Sequence, residues 1–78
     1  MHSEYLVRMA NDIGHFFAAS DPSQEQAARN VLAHIKKYWD PRMRSQIVEH
    51  YRSGGEGLEG FVRTAVGMLA EEAASKGK

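Results

Sequence analysis

Apolar residues recur every three or four positions along this chain, in four stripes separated by proline, glycine and capping residues. Leu6, Met9, Ala10, Ile13, Phe16 and Phe17 share one face of a helix expected over about 4–19. Ser3 is a plausible cap, and Asn11, Asp12 and His15 fall between the stripe positions. Gly14 lies inside this helix, where it costs roughly 1 kcal/mol relative to alanine. Such a glycine often admits a close neighbour, and Trp39 or Tyr51 is the expected one. Ser20-Asp21-Pro22 then starts a second helix, about 22–38. Asp21 caps it, Pro22 takes the first helical position and Gln24 completes a capping box. Ala28, Val31, Leu32 and Ile35 turn inward, with Tyr38 and Trp39 closing the end. A third stripe, Met43, Ile47 and Tyr51 with His50 beside them, predicts a helix over about 41–53. Gly54-Gly55 stops it. Leu58, Phe61, Val62, Ala65, Val66 and Leu69, with Met68 at the edge, make a fourth over about 58–72. From about Glu71 the chain turns polar and alanine-rich, a composition that frays.

The sharpest feature is the corner Tyr38-Trp39-Asp40-Pro41-Arg42-Met43-Arg44, which holds the only tryptophan. Proline pushes the residue before it out of the α region, so the second helix should stop near Trp39. Asp40 can cap the next helix while Pro41 takes its first position. Arg42 and Arg44 lie about 200° apart around a helix. They cannot serve one face: one points to solvent, and the other runs along Trp39 or reaches a partner. The fold class is therefore all-α, a compact bundle of four short helices in a single domain, 1–78, with loops that force close neighbours. A core this small is often marginal alone, which suits a subunit that docks.

Composition narrows the chemistry. The 78 residues contain no cysteine, which excludes disulfides, thiolate metal sites, cysteine-ligated clusters and cysteine nucleophiles. No apolar run approaches the length of a membrane span, and the N-terminus lacks a signal pattern, so a cytoplasmic protein is expected. The formal net charge is zero. Residues 1–28 nevertheless carry −3, residues 29–52 carry +4 and residues 53–78 carry −1. The basic middle is either an anion or partner surface, or it is neutralised when the helices pack.

None of the four histidines, His2, His15, His34 and His50, forms a His-x-x-x-His or Glu-x-x-His pair. No metal ligands are therefore expected. The loop Gly54-Gly55-Glu56-Gly57 follows no strand and precedes no Lys-Ser/Thr, and Glu56 would repel phosphate, so it reads as a helix stop. No Ser/His/Asp set is arguable, and no catalytic or cofactor-binding residue is expected. Helices two and three could imitate a helix-turn-helix with Arg42 and Arg44 at its start. The near-neutral pI and Glu49 argue against nucleic acid.

Three blocks carry a resemblance: Val7-Arg8-Met9-Ala10-Asn11-Asp12-Ile13-Gly14-His15-Phe16-Phe17, then His34-Ile35-Lys36-Lys37-Tyr38-Trp39-Asp40-Pro41-Arg42-Met43-Arg44, then Gly54-Gly55-Glu56-Gly57-Leu58. In this order, over about residues 5–66, they resemble the delta subunit of soluble NAD-dependent formate dehydrogenases. Tyr38 stands where the family often has phenylalanine, and the tail beyond Leu69 carries no likeness. The resemblance implies an accessory subunit of a cytoplasmic molybdenum- or tungsten-dependent complex, which oxidises formate to carbon dioxide and passes electrons to NAD. Molybdopterin guanine dinucleotide, iron–sulfur clusters and flavin are then expected in other subunits and no cofactor in this chain. Its partners would be those subunits, the large alpha subunit foremost, with a role in assembly or stability.

The expected contact surface is the corner, because Trp and Arg are the commonest interface hot spots. Trp39, Asp40, Arg42 and Arg44 are the candidates there, with Asn11, Asp12 and His15 as a second polar patch. Trp39 could equally fill the core at the helix junction. Within the family reading, Arg42 or Arg44 could approach the cofactor phosphates during maturation. Two other readings stay open: a stand-alone nucleic-acid-binding module, and a helical domain that self-associates through the corner.

Overall fold

The second and third helices each begin where a short polar side chain takes up a first-turn N–H. The computed structural model describes residues 3–76. Its helices are α1 (Ser3–Ser20), α2 (Gln24–Tyr38), α3 (Pro41–Arg52) and α4 (Gly60–Lys76); there is no strand among the described residues. Asp40 caps α3 as expected, its carboxylate accepting from the Met43 N–H at 2.9 Å with Pro41 in the first turn. At α2 the cap is different. Ser23 accepts from the Gln26 N–H at 3.1 Å, so the cap is Ser23 rather than Asp21, the Gln26 side chain donates to Asn30 instead of closing a box, and Pro22 precedes the helix. Asp21 is occupied elsewhere: its N–H extends α1 by donating to Phe17 O, and its carboxylate takes the Asn30 amide at 2.7 Å.

The end of α3 is a Schellman turn. Gly55 N–H reaches back to His50 O and Gly54 N–H to Tyr51 O, with Gly54 at φ 124° and Gly55 at φ 66°. The chain then reaches α4 only at Gly60, two residues later than the periodicity suggests. Leu58 still packs into the core from the loop. Where fraying was expected from about Glu71, the helix continues to Lys76. Leu69 and Ala70 are buried, and Glu72 is drawn to Lys36 of α2 at 2.9 Å. His2 and Lys78 lie outside the described residues.

The core joins Leu6, Val7 and Ala10 of α1, Ala28, Val31 and Ile35 of α2, Ile47 and Val48 of α3, and Val62, Ala65, Val66 and Leu69 of α4. α4 packs against both α2 and α3, and α1 lies against all three other helices. The corner thus opens α2 and α3 apart, and α4 fills the angle with α1.

Two details of α1 depart from its stripe. The close neighbour of Gly14 is neither Trp39 nor Tyr51 but Val62 of α4, where a Cβ would overlap Cγ2, with Phe61 next to it. Phe16, two residues on and so about 200° around the helix, therefore points away from α4 and is 69% exposed. Tyr51 instead fills the space beside Gly67, its hydroxyl 2.9 Å from where a Cβ would sit.

Candidate partner interface

The corner separates its residues by depth. Trp39 is only 5% exposed and belongs to the core cluster, so of the two readings of the indole the structure places it as junction filler. The Trp39 backbone N–H donates to Ile35 O and closes α2. Arg44, half-buried, donates from Nη1 to Lys36 O at 2.8 Å. It thereby satisfies a carbonyl in the last turn of α2 and fixes the angle between the two helices. Arg42, on the other side of α3, is exposed. One arginine of the pair does face solvent, as expected, but the contact recorded for the other is the Lys36 carbonyl, not Trp39 or a partner. Asp40 is exposed but engaged as the cap. Arg42 is thus the arginine of the corner that faces outward, while Arg44 is committed to the bend.

Asn11, Asp12 and His15 lie against the loop between α3 and α4. The Asn11 amide donates to Gly57 O at 2.9 Å, and its carbonyl oxygen accepts from the Glu59 N–H at 3.1 Å. His15 donates from Nε2 to a Glu59 carboxylate oxygen at 2.9 Å. His50 donates to Glu56 O at 2.7 Å, and Arg63 holds Gly54 O and Gly55 O from the other side. This polar cluster is a clamp: it anchors a glycine-rich loop by its carbonyls, of which Gly55 O also accepts from the Leu58 N–H. Asp12 stays exposed beside it. Asn11 and His15 are therefore accounted for by the fold, and they line a different depression from Arg44, so the two candidate sets do not form one site.

Packing also takes up much of the basic middle. Arg29 pairs with Glu25, Lys36 with Glu72, and Arg52 donates to Ala70 O. With Arg44 engaged as above, Lys37 and Arg42 are the cations of residues 29–52 that meet no acceptor among the described residues. No group of three His, Asp or Glu side chains that could hold a metal occurs among the described residues, and no helix among them is long and apolar enough to cross a membrane.

Sequence reasoning missed a run of rings across α1 and α2. Phe16 and Phe17 meet edge to face with centroids 5.2 Å apart, Phe17 meets His34 at 6.4 Å, and His34 meets Tyr38 at 4.7 Å. Tyr38 is 65% exposed, and the Lys37 ammonium stands 5.5 Å from its ring centroid. The available signal was Gly14, because the face it opens to α4 leaves Phe16 on the opposite side.

No curated protein and no solved structure gives a significant match to the chain. A family model does, over residues 5–66, and its description is the NADH-dependent formate dehydrogenase delta subunit, FdsD. That span includes α1 but for its first two residues, all of α2 and α3, the clamped loop and the first part of α4. It also contains the three sequence blocks that carried the resemblance, and on it the chain belongs to the FdsD family of formate dehydrogenase delta subunits.

Proposed function

We propose that the chain is a non-catalytic accessory subunit that supports assembly or stability of a cytoplasmic, NAD-dependent formate dehydrogenase, with the large alpha subunit as its principal partner. The match of the family model over residues 5–66 carries this reading. The way the chain uses its polar side chains supports it. Asn11, His15, His50 and Arg63 hold the loop after α3, Arg44 and Arg52 satisfy carbonyls of α2 and α4, and Asp40 and Ser23 cap helices. These are structural duties, and on this reading the molybdopterin cofactor, clusters and flavin belong to the other subunits. At the corner, Arg42 and Lys37 are the cations available to a partner, and Asp40 lies exposed between them.

The test removes the chain from its native host and restores it on a plasmid. An accessory role predicts that the amount of intact complex falls without the chain, while formate-dependent NAD reduction per metal-loaded complex stays unchanged. A drop in turnover per loaded complex, restored with the chain, would instead assign it a part in the chemistry.

A further inference from the structure

Phe16 and Tyr38 are among the most exposed large apolar side chains described here, and they are joined through Phe17 and His34 into one surface across α1 and α2. An isolated exposed ring needs no explanation, but a contiguous row on two helices marks an interaction surface. Rings of this kind are enriched at the centres of protein interfaces, where they bury large area at small cost in side-chain entropy. The row also has an electrostatic end. Lys37 stands over the Tyr38 ring and pairs with no carboxylate among the described residues, and the next cation along the chain, Arg42, is likewise without one. The other cations of α2 do have acidic partners, Arg29 with Glu25 and Lys36 with Glu72.

Resting on the reading that this chain is a formate dehydrogenase subunit, we propose that the Phe16–Phe17–His34–Tyr38 row is its docking face for another subunit of that enzyme, one that lays apolar side chains on the rings and sets a carboxylate against Lys37. This places the contact on α1 and α2 beside the corner, not on the indole within it. The Lys37–Tyr38 contact becomes drier and stronger when the partner covers it. The salt dependence of docking comes from Lys37 and its acceptor.

The test is affinity capture of the tagged full chain from its native host, with the formate dehydrogenase subunits identified by mass spectrometry. Phe16→Ser with Tyr38→Ser should lower recovery of those subunits roughly tenfold or more, with unchanged circular dichroism because both rings are largely exposed. Lys37→Glu should also lower recovery, and Lys37→Arg should keep it. Full recovery by the double variant and by Lys37→Glu would overturn the docking face and leave the subunit reading standing. Capture of no formate dehydrogenase subunit by the unmodified chain would overturn that reading and the inference with it. If the purified chain dimerises, and the double variant breaks the dimer without lowering subunit recovery, the row belongs to a second copy and the proposal is wrong.

Discussion

Gly14 and Gly67 look alike in the sequence, each a glycine inside a helix, yet the fold uses them differently. A methyl group at Gly14 would run into Val62, which is 2% exposed and locked between α1 and the rest of α4. Relieving such overpacking typically costs about 1–3 kcal/mol, against roughly 1 kcal/mol regained from helix propensity. At Gly67 the obstacle is the outer end of the half-buried Tyr51 ring, with Oη at 2.9 Å and Cζ at 3.1 Å, which can swing aside. Gly14→Ala should therefore lower the melting temperature by several degrees, since about 1 kcal/mol corresponds to 4–8 °C in a domain of this size. Gly67→Ala should change it little. Thermal unfolding of the two variants side by side checks this, and a larger loss at Gly67 would contradict the packing described for α1 on α4.

At the level of elements, the sequence was most legible where period and cap agreed. Asp40-Pro41 identified the start of α3, and Gly54-Gly55 its end, because each has one physical solution nearby. The start of α2 was ambiguous because Asp21 and Ser23 are both good caps two residues apart. The choice was made by Asn30, a turn and a half into α2, which takes the Asp21 carboxylate. The rotation of α1 was the larger miss. An apolar stripe wide enough to hold both Leu6 and Phe16 does not say which of its edges is packed, and only the contact between Gly14 and Val62 decides it. The polar clamp was similarly hidden, since Asn11 and Glu59 are 48 residues apart and meet only once α1 and α4 are in place. The cap of α3 offers a direct check. Asp40→Ala should cost about 1 kcal/mol, within the usual 0.5–2 kcal/mol for an N-cap, and Asp40→Asn much less. Arg42→Ala, on the exposed side of the same turn, should stay within about 0.5 kcal/mol. Urea unfolding of the three variants reads this order, and equal losses would mean that the corner is not held by its cap.

For the whole molecule, the neutral net charge conceals a division of labour. Four of the six cations of residues 29–52 hold a carboxylate or a backbone carbonyl, which leaves Lys37 and Arg42 without an acceptor among the described residues, beside a row of exposed rings. The pairing of Arg29 and Lys36 with carboxylates weakens the nucleic-acid reading, and the rings, unread in the sequence, give the molecule a surface suited to a protein neighbour. The family match supplies the kind of neighbour. The central claim is that this chain acts as part of a formate dehydrogenase. Its most direct measurement is affinity capture of the tagged chain from its native host, with mass spectrometry of the captured proteins and metal analysis of the eluate. The account predicts recovery of the catalytic and electron-transfer subunits of formate dehydrogenase together with molybdenum or tungsten. Recovery of the chain alone and free of metal would contradict it.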